Sequence, residues 1–233
     1  MEKGLVVVTG ASKGIGRAIV EKFFEEGYHV VACARGDDHL GALKNSLGDG
    51  PGKIDVVQAD MSVKSEVQKL GGFVLGLNKP VSILVNNVGV FLPGMIIDEE
   101  DGLLEKQIST NLYSAYYLTR ALIPGMIENQ SGHIFNICST ASIGPYENGS
   151  SYSITKYALL GFSHNLREEV KEKGIRVTAI LPGNTLTPSW GETDIPKEKF
   201  IMPEDVADSI YSIAHLSPGT NVEDVLIQPT LKR

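Results

Sequence analysis

The sequence predicts a single doubly wound α/β domain spanning residues 1–233: a parallel, seven-stranded sheet flanked by helices. Three observations carry that prediction. Short β-branched, apolar runs alternate with segments of helical period from one end of the chain to the other. Those runs are apolar at consecutive positions, as expected of strands covered on both faces. Helices lie between most successive strands, which implies right-handed crossovers and parallel pairing.

The first strand is LVVVT at 5–9, followed by a helical pattern at about 14–26. Strands follow at HVVACA (29–34) and IDVVQA (54–59), then a helix at about 63–76. SILVN (82–86) precedes a long helix at about 99–128, and HIFNICS (133–139) precedes another at about 151–173. RVTAIL (176–181), a helix at about 203–215 and VLIQ (225–228) complete the set. The stretch at about 183–203 holds three prolines and mixed charge, and reads as a mobile substrate flap. No repeat, linker or low-complexity tract interrupts the chain.

Composition excludes several classes. A formal charge of −7 disfavours nucleic acid as a partner. No run approaches the ~20 apolar residues that cross a bilayer, and LVVV is too short for a secretory core, so a soluble, cytoplasmic protein is expected. Cys33 and Cys138 lie far apart in apolar runs, in no metal spacing, and read as reduced core residues; no metal site is expected.

Between the first strand and the first helix stands TGASKGIG, Thr9 to Gly16. Gly10 suits the tight turn, Gly14 a close backbone approach to a pyrophosphate, and Gly16 close helix packing. The helix beginning there offers free N–H groups and a positive dipole end to phosphate. The spacing is G-x-x-x-G-x-G, not G-x-G-x-x-G, and a ligand-free glycine turn remains the alternative. Tyr152 and Lys156, four apart, share one helix face, a spacing that discriminates little by itself. Ser139 closes one strand, NNVG (86–89) the preceding one and PG (182–183) the following one, so weak signals converge on one sheet edge. Singly, Ser139 reads equally as a strand-end cap, Asn111 as a helix-satisfying amide and Tyr152 as a packed core residue.

Together these residues resemble the short-chain dehydrogenase/reductase family, over essentially the whole chain. The family's T-G-x-x-x-G-x-G falls on Thr9, Gly10, Gly14 and Gly16, with Ser12, Lys13 and Ile15 inside it. Its acidic residue after strand three falls on Asp60, beside Met61, and its N-N-A-G on Asn86, Asn87 and Gly89, with Val88 for alanine. Its helix asparagine falls on Asn111, its serine on Ser139, its Y-x-x-x-K on Tyr152 and Lys156, and its P-G-x-x-x-T on Pro182, Gly183 and Thr187. Thr185 stands where the family usually carries valine or isoleucine.

The resemblance implies a Rossmann domain with a bound dinucleotide and a catalytic set of Asn111, Ser139, Tyr152 and Lys156. A free tyrosine has a pKa near 10, and the adjacent Lys156 ammonium is expected to lower it by about 2 to 3 units. Tyr152 then exchanges a proton with a carbonyl or secondary alcohol that Ser139 holds, and Asn111 anchors a water that links Lys156 to solvent. Arg35 at the end of strand two, with Lys13, favours NADP(H); Asp37 and Asp38 read as solvated or helix-capping. Val88, Phe91, Leu92, Ile143, Tyr146 and Trp190 form an apolar wall suited to a mid-sized carbonyl. Two further functions stay open: reduction of 3-oxoacyl chains on a carrier protein, and a catalytically silent cofactor-binding scaffold. The family also implies a homodimer or homotetramer built from the helices at about 99–128 and 151–173, which carry Leu112, Tyr116, Leu118, Leu122, Leu159, Phe162 and Leu166.

Overall fold

A computed structural model describes residues 4–231. Seven parallel strands form one sheet in the order β3-β2-β1-β4-β5-β6-β7: β1 (Leu5–Thr9), β2 (His29–Ala34), β3 (Lys53–Gln58), β4 (Val81–Asn86), β5 (Gly132–Ile137), β6 (Ile175–Pro182) and β7 (Asp224–Ile227). Each lies within two residues of its expected bounds. Strand order reverses between β1 and β4, the switch point at which such sheets open a crevice at the carboxyl ends of their strands.

Alternate residues of one strand serve opposite faces. Val6, Val8, Val30 and Ala32 pack with Ile19 and Phe23 of α1 (Gly14–Glu25) and Ile210 of α7 (Pro203–Ala214). Leu5, Val7, Val31 and Cys33 pack on the other side with Leu70 of α3 (Lys64–Gly76), Leu118 and Leu122 of α5 (Ser114–Glu128) and Leu166 of α6 (Ser150–Val170). Two apolar layers of this kind supply the main stabilisation, at ~25 cal/mol per Å² of apolar surface covered.

The structure corrects the reading in three places. Helix α2 (Asp37–Leu47) joins β2 to β3 where no helix is expected; its apolar face is the short stripe Leu40, Leu43 and Leu47, the last only half-buried. Asp37 and Asp38 occupy its first turn, where the helix dipole favours them, while Gly36 is the N-cap, so neither aspartate caps by its side chain. The long helix expected at 99–128 is divided into α4 (Leu103–Ile108), a π-helical turn at Ser109–Tyr113, and α5. β5 ends at Ile137, two residues early, and Ser139 instead caps a short 3₁₀ turn, Thr140–Ser142.

Cys33 and Cys138 are buried and free. Burial pushes the Cys33 thiol up to about 12 and the Cys138 thiol up to about 11, so both pack as neutral side chains at neutral pH. Among the described residues, no helix is long and apolar enough to cross a membrane.

Candidate active site

A cleft of about 1200 Å³ runs along the carboxyl edge of the sheet, from the β2 and β3 ends to the start of α6. Its floor is organised at the switch point by Thr9 and Asn87. The Thr9 hydroxyl accepts from the backbone N–H groups of Asn87 (3.0 Å) and Val88 (3.1 Å), and the Asn87 amide donates to the carbonyls of Thr9 (2.8 Å) and Gly10 (3.2 Å). Thr9 is thereby buried behind the wall, which corrects its expected place among residues touching a cofactor. The loop after it requires glycine: Gly10 has φ +65°, and a Cβ on Gly16 would collide with the Gly10 carbonyl and the Asn87 amide. No side chain caps the first turn of α1 and no acidic residue occupies it, so its N-terminal dipole faces the cleft uncompensated.

The other expected cofactor residues line this end or the opposite rim: Gly10, Ser12, Lys13, Gly14, Ile15, Gly16, Arg35, Asp60, Met61, Asn87, Gly89, Pro182, Gly183, Thr185 and Thr187. Thr187 passes so close over Gly14 that a Cβ there would stand 2.9 Å from its methyl. Arg35 is exposed at the end of β2, its carbonyl held by the Gln58 amide at 2.9 Å. His39 also lines the cleft, three residues past the Gly36 N-cap, whereas Asp37 and Asp38 do not. No motif marks His39 in the sequence; only the helix that starts after Gly36 turns it toward the cleft. Desolvation works to raise the Asp60 carboxyl, but hydrogen bonds from the Ser62 hydroxyl (2.7 Å) and N–H (2.9 Å), with Arg35 nearby, hold it below its usual range.

At the far end, Tyr152 and Lys156 rise from the first turns of α6, with the Lys156 Nζ 5.7 Å from the Tyr152 ring centroid. Ser139, at the end of the β5 turn, hydrogen-bonds the phenol, and its own Oγ accepts from the Ala141 N–H at 3.1 Å. Phe91 and Tyr146 pack edge-on or tilted against Tyr152, with centroids at 5.3 and 5.6 Å. The Lys156 ammonium donates to the Ile137 carbonyl at 2.8 Å, and Gly89 leaves room for it: a Cβ there would meet both Nζ and the Asn111 Oδ1 at 3.4 Å.

Electrostatics here differ from expectation. Burial pushes Lys156 down to about 8 and is also the largest effect on Tyr152, holding that phenol above its ordinary value despite the Ser139 hydrogen bond. The expected lowering of Tyr152 by Lys156 is therefore absent in the chain alone. The same desolvation that would strengthen an ion pair also weakens the charge on the lysine.

Asn111 sits in the π-helical turn, 1% exposed and off the cleft wall. Its Oδ1 accepts from the Val90 N–H (2.7 Å), and its Nδ2 donates to the Val90 carbonyl (2.9 Å) and the Thr155 hydroxyl (2.9 Å). Its side chain thus ties the strand β4 exit to helix α6 from behind the cleft wall. Ile143 likewise stands 52% exposed and does not line the cleft, while Val88, Phe91, Leu92, Tyr146 and Trp190 do.

No motif of the sequence marks Glu99. Its carboxylate accepts from the Ser151 hydroxyl at 2.5 Å, at the N-terminus of the helix that carries Tyr152, where the dipole welcomes an anion. Only the fold brings residues 52 apart together in this way.

A family model for the short chain dehydrogenases matches residues 4–197. The chain belongs to the short-chain dehydrogenase family. It is 32% identical, over 97% of its length and 94% of the relative's, to an NADP-dependent 3-hydroxy acid dehydrogenase of Salmonella typhi. Among solved structures, a metagenomic short-chain oxidoreductase in complex with NADP superposes with a TM-score of 0.86 and 31% identity, covering 99% of both chains. The L-sorbose reductase of Gluconobacter frateurii, complexed with NADPH and L-sorbose, superposes with a TM-score of 0.90 and 28% identity, covering 98% of this chain and 96% of that one. Like other short-chain dehydrogenases, the chain is an oxidoreductase built on a Rossmann-like sheet.

Proposed function

We propose that the chain is an NADP(H)-dependent enzyme that interconverts a carbonyl and a secondary alcohol, with Tyr152 as general acid and base. The observation that carries this reading is the shared cleft. A phenol, a serine hydroxyl and a buried lysine stand at one end, and an uncapped helix terminus with Arg35 and Lys13 at the other.

NADPH, when bound, supplies the hydride. The chain's own part is the proton. Tyr152 donates its hydroxyl proton to the substrate oxygen, which the Ser139 hydroxyl also holds, and Lys156 returns a proton to the phenolate. Phe91 and Tyr146 shield that exchange from bulk water. In the reverse direction, Tyr152 takes the alcohol proton.

Arg35 and Lys13 would hold the 2′-phosphate, the guanidinium by a bidentate pair and the lysine as a point charge. Arg35→Asp is expected to raise the KM for NADPH at least tenfold while changing that for NADH much less. Equal losses for both nucleotides would refute the assignment.

The segment 183–203 is proposed as the substrate flap. Its base is pinned by the Leu186 N–H to the Ile201 carbonyl (2.9 Å) and the Trp190 indole to the Thr185 carbonyl (2.8 Å), which confines motion to the tip around Gly191–Pro196. For assembly, the expected contact helices leave Tyr113, Tyr116, Ile154 and Tyr157 exposed, whereas Leu118, Leu122 and Leu159 are spent in the chain's own core. A homo-oligomer would use the former set.

A carrier-protein substrate receives no support, because exposed Asp98, Glu100 and Asp101 follow the loop at the cleft mouth and would repel an acidic partner. The deciding experiment is NADPH oxidation over a panel of ketones, aldehydes and an acetoacetyl thioester. Turnover of small ketones is expected. A chain that binds NADPH and reduces none of the panel would be the silent scaffold, and the proposal would fail.

A further inference from the structure

The charges that line the cleft are sorted along its length. Lys13, Arg35, His39 and Asp60 stand at the end formed by β1, β2 and β3. At the other end, around Tyr152, the charged side chains of the described residues are Lys156, which is buried and donates to the Ile137 carbonyl, and Glu147. Glu147 is exposed, and its place is fixed by its neighbours. The preceding Tyr146 packs its ring 5.6 Å from the Tyr152 ring, and the Gly149 N–H closes a turn onto the Tyr146 carbonyl at 3.1 Å. The following Asn148, at φ +51°, holds the Gly94 N–H through its carbonyl at 2.9 Å. A turn tied at both ends therefore sets an anionic side chain on the wall of the substrate half.

The geometry points to a cleft that selects uncharged carbonyl compounds over oxo acids, with Glu147 as the residue that rejects a substrate carboxylate. This rests on the reading of the cleft as that of a carbonyl reductase. A 3-hydroxy acid and its 3-oxo partner carry a full negative charge at neutral pH, only a few bonds from the reacting carbon. Bringing that charge beside Glu147 on the cleft wall sets two like charges against each other at close range, a repulsion that salt screens. The net charge of −7 adds a weaker, longer-range repulsion to the approach of any anion. A neutral ketone meets neither barrier and gains from the apolar Phe91, Leu92 and Trp190 walls. The inferred preference is thus opposite in charge to that named for the 3-hydroxy acid dehydrogenase relative and shared with the reductase of uncharged L-sorbose.

The test compares acetoacetate with ethyl acetoacetate, which present the same ketone with and without a charge, using NADPH at saturating concentration. For the wild type, kcat/KM is expected to favour the ester at least tenfold. Glu147→Gln should narrow that ratio several-fold and Glu147→Lys should narrow it further, mainly through the KM for acetoacetate, with the KM for NADPH unchanged. High salt should narrow the wild-type ratio as well, and leave that of Glu147→Gln nearly unmoved. A wild type that prefers acetoacetate, or a ratio equal in all three proteins, overturns the role of Glu147 and leaves the carbonyl-reductase reading intact. Failure to reduce either compound, or any simple ketone, overturns both.

Discussion

Phenylalanine in place of Tyr152 is expected to lower kcat about 10³-fold while leaving NADPH binding nearly unchanged. The substitution removes one oxygen and keeps the ring, so the aromatic contacts with Phe91 and Tyr146 at 5.3 and 5.6 Å survive and the fold of the site should persist. What is lost is the proton donor, and positioned general acids contribute roughly 10² to 10⁴ in rate. Ser139 would still hold the substrate oxygen, yet a serine hydroxyl cannot replace the phenol as an acid. The resting state of Tyr152 adds a second check. Burial holds the phenol above its ordinary value, so its acid form dominates throughout the neutral range. Wild-type ketone reduction should therefore not decline between pH 8 and pH 6, whereas alcohol oxidation, which needs the phenolate, should rise with pH. Steady-state kinetics in both directions, with a fluorescence titration of NADPH, measures all of this. A Tyr152→Phe protein within tenfold of wild-type turnover would remove Tyr152 from the chemistry.

The sheet and the ends of its strands are legible because each strand carries a short, mostly apolar stretch rich in Val and Ile, and because motif residues at strand ends must meet at one edge of a parallel sheet. Two kinds of feature were not readable. Helix α2 carries only a short stripe, Leu40, Leu43 and Leu47, interrupted by Gly41 and flanked by polar residues, so its helical period is weak and His39 is hidden with it. The second kind depends on which of several hydrogen-bond partners a side chain takes. Thr9 and Asn111 stand at the right positions in the motif, but their polar atoms are used to fasten β1 to the β4 exit and that exit to α6. A sequence can say that an asparagine belongs to a site without saying whether it faces the ligand or stands behind those that do. Electrostatic sign was lost for a related reason. Spacing brings Lys156 near Tyr152, but only packing shows that desolvation is the largest effect on both groups.

That desolvation makes Lys156 a residue retained at a cost to stability, and its removal should show it. Burial lowers its pKa from the ordinary 10.5 to about 8. Below about pH 8 the lysine is charged in both the folded and unfolded chain, and the full burial penalty is present. Between about pH 8 and 10.5 the unfolded chain binds the proton and the native chain does not, so this group makes stability rise with pH across that window. A shift of this size corresponds to about 3 kcal/mol, to order of magnitude. Methionine keeps the length of the stem and removes the charge. It also strips the Ile137 carbonyl of its 2.8 Å donor, which returns ~1–2 kcal/mol of the gain. The expected result is a Lys156→Met protein about 1–2 kcal/mol more stable than wild type at pH 7, with that advantage shrinking as pH is raised toward 10 and turnover reduced at least 10²-fold. Urea unfolding at pH 7 and pH 10 reads the first two and NADPH oxidation the third. A variant less stable than wild type at pH 7 would mean that the ammonium is well solvated or well paired in the native chain. The lysine would then carry no burial penalty in the native chain, and stability should show no rise above pH 8 from this group.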